Sequence, residues 1–231
     1  MDKRELRLTV ASQQDRQAHA FPVRRLICAG WVGRDRQALQ AHIDELAAHG
    51  VPAPSRTPIF MNFACYLATT ATAIDVVSGE TSGEVEYVIL KAADRLWVGV
   101  GSDQTDRGLE KYSIPAAKQM YPKVLAPVVW PYAELKGHWD RIVLRSWSVV
   151  GGKRTLYQED TLATVMDTES LLTSIPPEAE LPADGWVVFS GTIATKIGLE
   201  FGERFEFEME DPVLNRSLRH GYDVRILPQY L

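Results

Sequence analysis

The sequence predicts an α+β fold dominated by mixed or antiparallel sheet, with one substantial helix near its N-terminal end. Three observations lead there. Short apolar stretches, alternating or continuous, recur along the chain; one stretch has clear helical spacing; and Gly and Pro interrupt the sequence at short intervals beyond residue 58.

The elements follow in order. Glu5-Leu6-Arg7-Leu8-Thr9-Val10 alternates at period two and predicts a strand. The continuous run Leu26-Ile27-Cys28-Ala29-Gly30-Trp31-Val32 predicts a strand buried on both faces. The period then changes. Asp35 is a good N-cap residue, and Leu39, Ile43, Leu46 and Ala47 lie at helical spacing, so a helix is expected over 36–49. Gly50 supplies its stop, and Pro52 and Pro54 prevent continuation. Further strands are expected over 84–90, 96–101, 142–149, 186–190, 205–209 and 222–226, with a hairpin turn at Val150-Gly151-Gly152-Lys153. Shorter helices are expected over 115–120 and 168–173. No internal repeat or long linker stands out. The expected organisation is a small strand–helix segment, 1–55, packed on a strand-rich core, 56–231, as one folding unit overall.

Bulk properties narrow the function. A composition of 45% hydrophobic and 24% charged residues is ordinary for a packed domain, and the net charge of −5 argues against a nucleic-acid or anionic-membrane partner. No apolar run approaches the roughly 20 residues of a membrane helix. The opening Met1-Asp2-Lys3-Arg4-Glu5 lacks a signal peptide's apolar stretch, so a cytoplasmic protein is expected. Cys28 and Cys65 each sit in an apolar run and read as buried thiols rather than a disulfide or metal pair.

Carboxylates carry the strongest chemical signal. In the stretch 83–90, alternation puts Glu84, Glu86 and Val88 on one face and Val85, Tyr87 and Ile89 on the other. Two carboxylates on one strand face stand about 7 Å apart at Cβ, near enough to repel or to share a cation. Asp103 follows at the Gly-flanked corner Gly99-Val100-Gly101-Ser102-Asp103. Three carboxylates converging from strand and loop suit a hard divalent ion. A solvated acidic face gives the same pattern, and Phe205-Glu206-Phe207-Glu208-Met209-Glu210 alternates even more cleanly; it is expected to be an amphipathic strand with a wet side.

Other residues have two readings each. His42 and Glu45, three apart, share one helical face and can form a general-base pair or a solvated edge; His49 is expected to be structural, near the helix C-terminus. Arg107 and Lys118 can meet an oxyanion or balance the acids. Thr192, beside Gly191, offers a hydroxyl and backbone to carboxylate oxygens, or is an ordinary strand end. His138-Trp139-Asp140 is conspicuous, with no role assignable from spacing. Gly99-Val100-Gly101 lacks the third glycine and helix start of a dinucleotide motif.

Read as an ordered set, these motifs resemble a known family. His42-Ile43-Asp44-Glu45, then Glu84-Val85-Glu86, then Ser102-Asp103-Gln104-Thr105-Asp106-Arg107, then Ser190-Gly191-Thr192 are similar to the motifs of the fumarylacetoacetate hydrolase superfamily, in a divergent bacterial branch of unknown function. The likeness runs over residues 26–210. It implies the mixed β-roll or sandwich of that family's C-terminal domain, with the N-terminal helix at the active-site rim, and a homodimer. It implies a divalent metal on Glu84, Glu86 and Asp103, with Mg first and Mn or Ca as alternatives. It gives His42 and Glu45 the activation of water, Arg107 and Lys118 the stabilisation of an oxyanion, and Thr192, Gly191 and Gln158 contact with a small oxo-acid substrate. The implied reaction is hydrolysis of a carbon–carbon bond in an acylpyruvate-like or 1,3-dicarbonyl acid with an enolate leaving group. Decarboxylation, dehydration or tautomerisation of a 2-oxo acid at the same site is the alternative, and a non-catalytic metal- and oxo-acid-binding protein the second. The sequence departs from the family pattern in places. The interval between Glu86 and Asp103 is short, Ser102 replaces an asparagine, Glu110 stands where the family has glutamine, no Pro follows Gly191-Thr192, and Lys123 rivals Lys118 as the site lysine.

Overall fold

The computed structural model describes residues 4–48 and 53–230, apart from the side chains of residues 42 and 45–48. The N-terminal alternation forms β1 (Arg4–Ala11), which returns as β2 (Arg16–Val23) and leads into β3 (Arg25–Gly30). Trp31 takes a left-handed backbone, φ 59°, and ends β3 two residues before the apolar run itself ends. Helix α1 (Arg36–Ala48) follows, capped by Asp35, whose carboxylate accepts from the N–H groups of Gln37 and Ala38 at 2.9 and 3.0 Å. His49 and Gly50, the expected end of that helix, lie outside the described residues. Next come β4 (Ile59–Phe63), β5 (Ala68–Thr69), β6 (Ala73–Val76) and β7 (Thr81–Ser82), then the paired β8 (Val85–Ala92) and β9 (Arg95–Asp103). The short β10 (Thr105–Asp106) enters α2 (Arg107–Glu110) and α3 (Ile114–Gln119), whose first turns are capped by Asp106 and Ser113. Beyond them lie β11 (Lys123–Leu125), β12 (Val128–Pro131), β13 (Val143–Val150), β14 (Lys153–Thr161), α4 (Thr168–Thr173), β15 (Trp186–Phe189), β16 (Arg204–Asp211) and β17 (Arg216–Ile226). Gly151 and Gly152, at φ 57° and 77°, make the β13–β14 turn expected from the sequence.

Among the described residues the strands form a ten-stranded sheet on the path β2-β1-β12-β9-β8-β15-β3-β4, with β11 linking β9 to β5. A five-stranded sheet runs β14-β13-β16-β17-β6, and β10 pairs with β7. The large sheet is mixed: β1 is parallel to β12 and β15 to β3, while β8 is antiparallel to both β9 and β15. Segment 1–55, expected to pack on the core, contributes β1 and β3 as interior members of this sheet.

Side-chain alternation sorts the core into two parts. Tyr87, Ile89, Val98 and Val100 share one apolar cluster with Leu144, Phe205, Phe207, Met209 and Tyr222, so one face of the large sheet packs on the five-stranded sheet. Leu6, Leu8, Phe21, Leu26, Cys28, Val88, Leu90 and Phe189 form the second cluster, all from strands of the large sheet. That sheet therefore curls on itself, and this is the expected roll. Glu86 alternates with Val88 and Leu90, which puts its carboxylate at one end of the roll interior.

The strands β2 and β12 were not expected, and β14 was implied only by the hairpin turn before it. Their sequences are polar or short, and pairing decides them: β2 is held by β1 in continuous register from Arg4–Val23 to Ala11–Arg16. The unexplained His138-Trp139-Asp140 proves architectural. Trp139 is buried edge-on against Tyr87 at 5.0 Å, His138 Nε2 lies 2.9 Å from Asp211, and Asp140 pairs with Arg34 at 2.7 Å. The rival acidic strand, β16, lays Glu206, Glu208 and Glu210 on its outer face, where Arg154, Arg219 and Arg145 pair with them. Cys28 is buried, Cys65 half-buried, and both are free thiols. Among the described residues no helix is long and apolar enough to cross a membrane.

Gly101 faces Glu86 across the β8–β9 register, and a Cβ there would lie 2.8 Å from both Phe189 Cε1 and the Val124 carbonyl. Gly101→Ala should therefore cost about 1–3 kcal/mol through overpacking, read from denaturant unfolding. An unchanged midpoint would contradict this close approach.

Candidate metal centre

The site forms where β8 and β9 end together. Asp103 N donates to the Glu84 carbonyl at 3.0 Å, so the two acidic residues stand opposite each other at the open end of the strand pair. Glu86, one pleat deeper, points the same way. One carboxylate oxygen from each of Glu84, Glu86 and Asp103 lies within 4.8 Å of the others, and Glu86 and Asp103 are buried.

Glu86 is fixed from behind. Its Oε2 accepts from the backbone N–H of Gly191 at 2.8 Å. Gly191 has φ 86°, and a Cβ there would come within 2.7 Å of Val32 Cγ2, so no other residue fits this turn without displacing the segment that leads into α1. Thr192 Oγ1 donates to the Val85 carbonyl and accepts from Gln158 Nε2, each at 2.8 Å. Gln158 is fully buried; its amide also bonds Ile193 O, Val85 N and Ser146 Oγ. The geometry thus gives Gln158 and Thr192 a bracing role around Glu84-Val85-Glu86, where the sequence suggested direct substrate contact.

Three cations face the acids. Lys118, from α3, bridges Glu84 Oε2 at 2.7 Å and Asp103 Oδ2 at 2.9 Å. Arg107, from α2, reaches Glu84 Oε1 at 2.9 Å, Glu110 Oε2 at 2.8 Å and Ser82 Oγ at 2.8 Å. Lys123 is fully enclosed, 2.7 Å from Asp103 Oδ1 and donating to the carbonyls of Gln104, Lys118 and Tyr121. The two candidate lysines therefore both belong to the cluster. Lys118 meets the acids from the open side, and Lys123 anchors Asp103 from within.

The acids respond in opposite directions. Burial would raise Glu84, but Lys118 and Arg107 outweigh it and hold its carboxyl down to about 2. Glu86 has no such partner: burial, and then the charge of Asp103, push it well above the usual carboxylate range. Lys118 is raised, because Asp103 and Glu84 overcome its desolvation. Glu86 Oε1 is buried with no hydrogen-bond partner, a state that native interiors rarely tolerate. An all-oxygen donor set in which Glu86 Oε1 has no partner and Asp103 Oδ1 meets only the Lys123 ammonium fits a hard divalent cation.

The sequence-derived residues divide accordingly. Glu84, Glu86, Asp103, Arg107, Lys118, Gly191, Thr192 and Gln158 come together. His42 and Glu45 lie on α1, but their side chains are outside the described residues. Sequence reasoning missed Ser82, which accepts from Arg107, and the pair formed by Ser102 Oγ and Tyr222 OH at 2.8 Å. Ser82 did carry a signal: it precedes Glu84 by two positions on the same alternation.

Known structures share this fold. A fumarylpyruvate hydrolase from Pseudomonas aeruginosa, in complex with Mn2+ and pyruvate, aligns over 97% of this chain and 98% of its own with a TM-score of 0.64 and 18% identity. A 2-keto-3-deoxy-D-arabinonate dehydratase complexed with magnesium and 2,5-dioxopentanoate aligns over 92% and 77%, with a TM-score of 0.64 and 14% identity. A 5-carboxymethyl-2-hydroxymuconate delta-isomerase from Mycobacterium smegmatis aligns over 93% and 82%, with a TM-score of 0.62 and 17% identity. The resemblance read from the sequence thus holds for the fold: a mixed, sheet-rich architecture of the fumarylacetoacetate hydrolase type. No curated protein matches the chain. The model of the DUF2848 family, proteins of unknown function, matches residues 29–222, and the chain belongs to that family.

Proposed function

We propose that the protein is a divalent-metal-dependent hydrolase that cleaves a carbon–carbon bond in an acylpyruvate-like or related 1,3-dicarbonyl acid. The observation that carries this reading is the carboxylate triad with its orphaned Glu86 Oε1. The fold neighbours crystallised with Mn2+ and pyruvate, or with magnesium and an oxo compound, support it. Glu84, Glu86 and Asp103 would hold the ion, which when bound supplies Lewis-acid charge for the oxygens of an oxo acid.

The remaining steps belong to the chain. His42, oriented by Glu45, takes a proton from water as the water oxygen attacks the distal carbonyl carbon. Arg107 and Lys118 donate hydrogen bonds to the oxyanion that forms there. The carbon–carbon bond then breaks, its electron pair passing to the fragment that keeps the 2-oxo acid, and protonated His42 returns the proton to that carbon. Gly191 and Thr192 keep Glu86 and the Val85 backbone in place throughout. A second reading, decarboxylation, dehydration or tautomerisation of a 2-oxo acid, draws support from the dehydratase and isomerase among the fold neighbours.

Chelator treatment followed by Mg or Mn, with loss of enol absorbance followed across a panel of acylpyruvates, tests the activity. Metal-restored cleavage is expected; absence of turnover with every metal, together with saturable oxalate binding, would leave a binding protein instead. Glu86→Ala should abolish Mn binding in calorimetry, and an unchanged affinity would remove the site. His42→Ala should keep that affinity while turnover falls about 10²–10⁴-fold, the usual weight of general-base catalysis; retained turnover would take His42 out of the mechanism. Because Glu86 is raised, it holds a proton at a pH where an exposed glutamate is ionised, and that proton must leave when the ion binds. Affinity should therefore fall as pH drops, and binding heats should differ between buffers of different ionisation enthalpy. Equal heats would contradict the raised Glu86.

A further inference from the structure

Arg107 is one of the two cations that the proposed reaction aims at the distal carbonyl of the substrate, and its guanidinium is already held between two carboxylates. Nη2 meets Glu84 Oε1 at 2.9 Å and Nη1 meets Glu110 Oε2 at 2.8 Å. The neighbouring cations are committed as well, Lys118 to Glu84 and Asp103, and Lys123 to Asp103. Each positive charge of the cluster thus has its counter-charge inside the protein.

Among these acids Glu110 stands apart. It belongs to no candidate ligand set, and its side chain is 29% exposed, against 16% for Glu84 and 8% for Arg107. It does not cap α2 either, since Asp106 accepts from Leu109 N at 2.8 Å and also takes the Tyr121 hydroxyl. Glu110 is therefore the more exposed of the two carboxylates that hold Arg107, and it stands between part of that guanidinium and solvent.

We propose that Glu110 sets the substrate class: the site takes oxo acids with a single carboxylate and an uncharged far arm, and rejects those with a second carboxylate on that arm. This rests on the metal and oxo-acid reading above. The carboxylate next to the oxo group is met by the charge of the ion. A second carboxylate, arriving beside Arg107, meets Glu110 as a like charge and finds a guanidinium already shared, so its desolvation is not recovered. An alkyl, aryl or hydroxylated arm meets no such repulsion. Arg107 can still offer hydrogen bonds to a neutral carbonyl oxygen, as the reaction requires.

The test compares 2-oxohexanoate with 2-oxoadipate, which has the same six-carbon chain with a terminal carboxylate. Both are titrated by calorimetry into Mn-loaded wild type and Glu110→Gln, with oxalate as a control that reports the inner site. Wild type should bind 2-oxohexanoate at least about tenfold more tightly than 2-oxoadipate, the scale of one close like-charge contact. Glu110→Gln should erase or invert that ratio and leave oxalate affinity unchanged. Oxalate binding with a ratio that does not move in Glu110→Gln, or a wild type that prefers the dianion, overturns the role of Glu110 and leaves the metal reading standing. Failure of oxalate to bind Mn-loaded wild type overturns the oxo-acid reading and this inference with it. Thermal unfolding of Glu110→Gln, with a midpoint matching wild type, separates lost specificity from lost folding.

Discussion

Three acidic side chains cannot share the end of an apolar roll without positive charge among them, and this constraint organises the surroundings of Glu84, Glu86 and Asp103. The chain meets it from one short stretch. Between β9 and β12 it doubles back through α2, α3 and β11, and each of these elements delivers one cation: Arg107, Lys118 and Lys123. The caps by Asp106 and Ser113 are what allow such short helices to start where these cations need them. Balance is complete at Glu84 and incomplete at Glu86, whose second oxygen has no partner. The difference between two glutamates two residues apart is the physical basis for reading the site as a metal centre rather than a structural ion-pair network.

The roll explains why the difference arises. Glu84 lies just before β8, at the rim, where cations from the helices can reach it. Glu86 lies inside the strand among residues that line the apolar interior, and the nearest donor there is the backbone of Gly191 at the end of β15. Both β8 neighbours, β9 and β15, thus contribute to the centre, one through Asp103 and the other through Gly191. Gln158 and Thr192 then tie the five-stranded sheet to the same strand end, so that the centre sits where the two sheets are joined.

Much of this was legible in the sequence, for identifiable reasons. Alternation placed Glu84 and Glu86 on one face, because the period of a strand is fixed by its geometry. The helix at 36–48 followed from Asp35 and its apolar spacing, and the β13–β14 turn from two glycines. Local pattern was silent where pairing decides. β2 is broken by Ala and Pro and β14 is rich in charge, so both owe their conformation to the strands they pair with, and Trp31 stops β3 through its backbone angle rather than its residue type. The cation assignments show the same division. Arg107 was legible by its distance from Asp103, but the choice between Lys118 and Lys123 depended on the path of α3 and β11, which bring both to the same carboxylate. Gln158 was expected to contact substrate and is instead fully buried, beside the bulge between Ser146 and Trp147 that shifts the β13–β14 register.

Whether Glu84, Glu86 and Asp103 bind one divalent ion is decided by anomalous diffraction from crystals grown with Mn2+. A single manganese peak is expected, bonded to one oxygen from each of the three, with Glu86 Oε1 among the ligands and Lys118 Nζ moved off at least one of its carboxylates. A map with no manganese there, and Lys118 still bridging Glu84 and Asp103, would contradict that site.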